Sequence, residues 1–278
     1  MTAPAASDTP VAHQSWFTMT WDRFRLETIE FMRSREQMIF IFAFPMIFLL
    51  LFGTIFGGQY LGDTDVTFAQ YFLAGMIATG IINTGFQSLA MGIAIDRQED
   101  ILKRIHGTPL PPSAFFAGKV VQVLVVSVIQ VAILIALGAA LYDVQLPRDA
   151  STWWTFAWVF LLGLAASSAL GIATSSLLRN GKAASAILTP VVLVLQFTSG
   201  VFVVFTQLPG WLQDFASVFP LKWLAQGMRS VFLPDYFEAA EASGSWEHQT
   251  TAIMLAIWLV LGLVVAARTF RWMRFDDK

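Results

Sequence analysis

Residues 38–56 read MIFIFAFPMIFLLLFGTIF, without a single charged side chain. A helix rises about 1.5 Å per residue, so this stretch crosses most of the roughly 30 Å hydrocarbon core of a bilayer. Five more runs free of Asp, Glu, Lys and Arg follow: Phe68–Ile95, Val120–Leu141, Thr152–Leu178, Ala183–Phe205 and Thr250–Ala267. They lack period-2 alternation and are too long for strands, so they read as helices. The second and fourth exceed one bilayer thickness, which calls for tilt or for ends that project beyond it. The fold class is therefore all-α, a polytopic membrane protein with six transmembrane helices in a domain over 38–267.

Composition agrees. Charged residues make up 13% of the 278, against about 25% in a soluble domain. Net charge is −2, so nothing points to nucleic acid as a partner. The absence of cysteine excludes disulfide and thiol chemistry. The first 37 residues hold no apolar core of the signal-peptide kind, so the first span is expected to direct insertion.

Basic residues set the orientation. The segments on the N-terminal side of the membrane hold fourteen Lys and Arg, those on the other side three. That places both termini in the cytoplasm, including a tail over 268–278. Residues 1–14 are small, polar and proline-bearing, the composition of a disordered tail. Residues 15–37 read as an amphipathic helix. Phe17, Trp21, Phe24, Thr28 and Phe31 share one face, with Asp22, Arg23, Glu30 and Arg33 opposite; Leu26 and Ile29 fall off the stripe. Such a helix suits the cytoplasmic headgroup layer and its lipid, or the surface of another protein domain.

No catalytic set emerges. His13, His106 and His248 lie in a tail and in loops on opposite sides of the membrane, so they cannot share a metal. Gly118-Lys119 and Gly181-Lys182 lack the upstream glycine and the following Ser or Thr of a phosphate-binding loop. Energy has to come from elsewhere.

The cytoplasmic loop 96–119 carries Arg97, Glu99, Asp100, Ile101, Leu102, Lys103, Arg104 and Ile105 ahead of Gly107 and Pro109. Glu99–Lys103 and Asp100–Arg104 are acid-before-base pairs four apart. Ile101, Leu102 and Ile105 form an apolar edge, and Gly107 with Pro109 ends the helix. A short charged helix with one apolar edge fits a docking partner, although headgroups or the protein's own helices would also cover that edge. Gly163, Ser167, Gly171 and Ser175 form a small-residue ridge suited to close helix packing. Pro45 and Pro190 bend the first and fifth spans. Polar residues within the spans are uncharged. Asn83 and Gln87 share a face of the second span, and Gln196 precedes Phe197 in the fifth. These four are candidates for lining a path for a large, apolar solute, with interhelical bonding the alternative. The outer loop 206–249 is too apolar for free solvent and reads as short re-entrant helices.

These residues resemble the type-2 permeases of ATP-binding-cassette transporters, and among them the daunorubicin-resistance group. The matching segments are Thr108-Pro109-Leu110, Gly118-Lys119, Phe219-Pro220-Leu221-Lys222-Trp223 and Gly227-Met228-Arg229. Their order extends from about Trp16 to the end, with Pro111-Pro112 as a departure where relatives carry polar or basic residues. The resemblance implies a subunit that dimerises with an identical or different permease and docks a separate cassette ATPase. That ATPase would hold ATP and Mg²⁺, leaving no cofactor in this chain. Arg97–Ile105 would be the coupling helix, and the substrate route would lie between two permeases, near spans one, two and five. The expectation is an exporter of a hydrophobic drug-like or lipid-like solute in a bacterial plasma membrane. A polysaccharide or lipid-linked glycan exporter, or a non-transporting membrane assembly protein, are the rivals.

The charge asymmetry predicts a labelling pattern. In intact cells, single cysteines at Thr64 and Ser243 react with an impermeant thiol reagent and one at Ser113 does not; the reverse pattern overturns the orientation.

Overall fold

The computed structural model describes residues 15–62 and 64–270. The tail expected over 1–14, with His13, lies outside the described residues, as do Asp63 and the last part of the 268–278 tail.

Ten α-helices, six of them long apolar spans, and two short 3₁₀ turns make up the described chain. Helix α1 is Trp16–Arg33 and α2, the first span, is Arg35–Phe56. Ser34 separates them, its N–H turned back to the carbonyls of Glu30 and Phe31. The second span α3 is Phe68–Gln98, and its turn Asn83–Ser88 is a π-helix. Next come α4 (Ile101–His106), α5 (Pro112–Tyr142), α6 (Ala150–Ser175) and α7 (Gly181–Thr198). Outside the spans lie α8 (Gly210–Ser217) and α9 (Pro220–Phe232), followed by the sixth span α10 (His248–Thr269).

Helix α3 is the axis of the bundle. It is almost wholly buried, and α2, α5, α6, α7 and α9 all pack on it, while α10 lies against α6 and α9. Its sequence suits that place: Ala69, Ala74, Gly75, Ala78 and Gly80 leave room for neighbours, and Phe72, Leu73, Met76 and Ile77 fill the gaps. The small-residue ridge of α6 packs inside the subunit. A Cβ on Gly171 would stand 2.7 Å from the Gly85 carbonyl oxygen, and one on Gly163 would strike Leu224 of α9. The backbones of α3 and α6 therefore touch, as small residues permit.

Two boundaries differ from the sequence expectation. The fifth span stops at Thr198 rather than Phe205, because Gly200 adopts φ +75° and turns the chain outward. A side chain there would be strained by φ and would crowd Phe205, its Cβ lying 2.8 Å from that of Phe205. The single helix expected over Arg97–Ile105 is two pieces. Helix α3 ends at Gln98, Asp100 takes φ 58°, and α4 starts at Ile101. The re-entrant reading of 206–249 matches α8 and α9. Every residue of α9 is buried, which explains an outer segment so rich in apolar side chains.

Candidate functional site

The charged residues carried by the six spans are Arg35, Glu36, Asp96, Arg97, Lys119, Lys182 and Arg268 among the described residues. Asp96 and Lys119 meet at one end of the bundle. Lys119, at the start of α5, places Nζ 2.8 Å from Oδ2 of Asp96 at the end of α3. It lies 2.7 Å from Oε1 of Glu27 on α1. Arg23 pairs with the same Glu27 and stands 3.6 Å from Asp96. Both cations lie over the Phe115 ring, at 4.7 and 5.4 Å. All four charged side chains are buried.

This cluster sets which face of α1 meets the bundle. Arg23, Glu27 and Phe31 face the protein, while Phe17, Trp21, Leu26, Ile29 and Met32 are exposed. The stripe of aromatic residues does not decide the contact; Asp96 and Lys119 do, because their charges need partners away from water. The sequence reading placed Arg23 on the polar face but had no partner for it. Gly118 explains the close approach, since a Cβ there would lie 2.7 Å from Arg23 and 3.0 Å from the Phe24 nitrogen. Gly118-Lys119 is thus a packing-and-pairing unit. A cavity of about 60 Å³ sits beside it, lined in part by Glu30, Gln37, Ser88 and Gln122. The Glu30 carboxyl is pushed up from its ordinary range by partial burial first, then by the Asp96 and Glu27 charges.

The loop residues separate into two groups. Arg97 is 1% exposed and donates to the Ser175 carbonyl at 2.6 Å, at the C-terminal end of α6. A cation there complements the helix dipole and an end carbonyl. Leu102 is fully buried in the main core, with Ile105 packed against that core. The protein's own helices therefore cover most of the apolar edge. Glu99, Lys103, Arg104 and His106 are exposed, with Asp100 and Ile101 half-buried. Helix α4 is a small charged knob pinned by Leu102.

Two of the four polar-path candidates, Asn83 and Gln196, meet each other. Gln196 Nε2 donates to Asn83 Oδ1 at 3.3 Å, and Gln87 Nε2 donates to Thr189 Oγ1 at 2.9 Å. Both bonds join the π turn of α3 to α7. Asn83, Gln87 and Gln196 are buried between these helices, whereas Phe197 is 50% exposed with its ring 4.8 Å from Phe202.

Sequence reasoning missed a column of rings. Phe40, Phe44, Phe48, Phe52 and Phe56 recur every four residues along α2. Their neighbouring centroids are 4.6–5.9 Å apart. Phe68 and Phe72 continue it from α3, and Phe202 links it to Phe197. The signal was the i, i+4 spacing of one residue type, readable in the opening run but taken there as bulk hydrophobicity.

At the opposite end of the bundle, Arg229 holds Glu241 bidentately, at 2.6 and 2.9 Å, beneath the Tyr71 ring. Lys222 packs 3.4 Å over Trp223. Burial pulls its ammonium down to about 8, with Glu247 opposing. Gln226 Nε2 reaches the carbonyls of Ser245 and Trp246. These bonds fix the outer segment to the spans and account for the spacing of Lys222, Gln226 and Arg229.

The family described as ABC-2 type transporter matches residues 15–233. The chain is 24% identical over 200 residues to "Daunorubicin resistance ABC transporter permease protein DrrB1" of Streptomyces coeruleorubidus, covering 70% of this chain and 68% of that protein. It is also 24% identical over 231 residues to "Putative transport permease ycf38" of Porphyra purpurea, covering 80% and 77%.

The ion cluster makes a stability prediction. Lys119→Met leaves Glu27 and Asp96 buried with one cation fewer, a loss of about 3–5 kcal/mol. Adding Asp96→Asn removes the orphaned charge and restores part of that loss. Thermal unfolding of the detergent-purified protein reads both; equal melting of the single variant and wild type contradicts the assignment.

Proposed function

This chain belongs to the ABC-2 type transporter family, and on that premise we propose that it is the permease subunit of an exporter for a hydrophobic drug-like or lipid-like solute. Members of the family work with a separate ATPase, which in this reading holds ATP and Mg²⁺. The subunit sits in a bacterial plasma membrane with both termini cytoplasmic and pairs with a second permease.

The observation that carries the substrate class is the phenylalanine column. It extends along the whole of α2 and carries no hydrogen-bonding group. An apolar or aromatic solute needs nothing more than such contact and stacking. The faces of sugar rings also stack on aromatic side chains, so a polysaccharide or lipid-linked glycan is the second reading; the lack of hydrogen-bonding groups along the column favours the apolar solute. Buried amides behind the column are bonded to each other, so Phe197 and the rings offer the surface. The name of the Streptomyces relative, a drug-resistance permease, points the same way.

Docking of the ATPase is assigned to α4 and the exposed apolar side of α1. Lys103 and Arg104 present charge from a helix that Leu102 anchors, and the Arg23–Glu27–Lys119–Asp96 cluster binds α1 to the same end. A push on either helix reaches the ends of α3 and α5 directly.

Two measurements test this. Reversing Lys103 and Arg104 to Glu abolishes co-purification with the ATPase while insertion and yield stay normal; undiminished co-purification removes α4 from the interface. In the reconstituted complex, Phe197→Ala changes drug-stimulated ATP hydrolysis severalfold and leaves the basal rate intact. An unchanged response to daunorubicin and other aromatic drugs moves the route elsewhere.

A further inference from the structure

Proline has no N–H, so Pro45 in the middle of α2 leaves the carbonyl of Ile41, four residues earlier, without its helical partner. Both residues are buried, where that carbonyl cannot turn to water. The missing donor comes from α5. Gln130, fully buried, donates through Nε2 to the Ile41 oxygen at 2.5 Å. Its other end faces α3, where Oε1 accepts from Thr84 Oγ1 at 3.3 Å. Thr84 lies inside the π turn Asn83–Ser88. Gly80, one turn earlier, makes the space: a Cβ there would stand 2.6 Å from Gln130 Oε1.

One amide therefore bridges two backbone irregularities, the proline bend of α2 and the wide turn of α3. Irregular turns of this kind recur at functional positions, and here both fall on helices that carry the phenylalanine column. A hydrophobic residue of the same length would fill the space equally well, so packing alone does not call for glutamine.

We propose that Gln130 is a positioning residue for transport, which holds the bent α2 and the wide turn of α3 in register against α5 so that the three move together when the ATPase drives the subunit. This rests on the permease reading above and adds how its first three spans stay coupled. Neutral hydrogen bonds suit the role. Within membranes each is strong enough to set the register and weak enough to rearrange.

The natural absence of cysteine allows a direct test with spin labels at Leu51 on α2 and Leu141 on α5, both exposed. In the purified permease the label separation is a single narrow population. Gln130→Met keeps side-chain length but removes donor and acceptor, and raises the population of a second separation roughly tenfold, the factor that about 1.4 kcal/mol represents. Pro45→Ala gives Ile41 back its helical donor. In that background Gln130→Met has little further effect, which a general packing defect would not show. In the complex with its ATPase, vanadate trapping leaves the separation unchanged for the wild type and shifts it for Gln130→Met. Should Gln130→Met fold only in the Pro45→Ala background, the bridge is supported. Equal effects in both backgrounds, failure to fold in both, or no effect at all overturn it. The label experiment on the permease alone needs no ATPase, so its outcome is independent of the docking test.

Discussion

A peptide group inside hydrocarbon must find its hydrogen bond within the protein, because no water is there to replace a lost partner. Much of this structure follows from how that requirement is met where the helices depart from regularity. Pro45 frees a carbonyl and Gln130 answers it from another helix. The chain leaves the bundle after Thr198, and the Gly200 carbonyl accepts from the Tyr71 hydroxyl and from Arg229. The same hydroxyl takes the N–H of Phe205. At the other end of the bundle, Arg97 answers the carbonyl of Ser175 where α6 finishes. Each of these three sites is paired with a specific polar side chain on a neighbouring element, and each such pair also fixes how those elements sit.

Charge obeys the same economy at the two faces. Four charged groups at one end of the bundle are buried together, so removing one strands the others. They join α1, which lies outside the spans, to the ends of two of them. At the opposite end Arg229 and Glu241 do the corresponding work, with Lys222 less well satisfied and held over an indole ring. Between these two layers, the described spans rely on amides and hydroxyls alone.

The six spans, the N-terminal helix and the short helices within 206–249 were legible because each rests on a long-range average of hydropathy that no single residue can reverse. What α1 packs with inside the subunit was not legible. The Phe17 and Trp21 face was read as meeting headgroups or another domain, and the face that meets the bundle carries Arg23 and Glu27, whose partners Asp96 and Lys119 lie far away in the chain. The apolar edge of α4 was visible, but not that Leu102 spends it inside the subunit. Asn83 and Gln87 were seen to share a face, but not that Gln196 bonds to Asn83 and Thr189 to Gln87, since one sequence cannot pair helices. The π turn left no compositional mark in NTGFQS, and the fifth span was read too long because nothing in a hydropathy run announces the positive φ of Gly200.

The phenylalanine column of α2 has a property that follows from its uniformity. One kind of ring recurs at each turn of the helix, from Phe40 to Phe56, with similar spacing throughout. A solute displaced by one turn along it would meet nearly the same surface that it left. Deep wells arise where a surface changes character, and this one changes little. A track of equal steps gives weak retention at every point and little reason to halt between the two faces of the membrane. It also implies broad tolerance of solute shape, since no single ring is placed to inspect it.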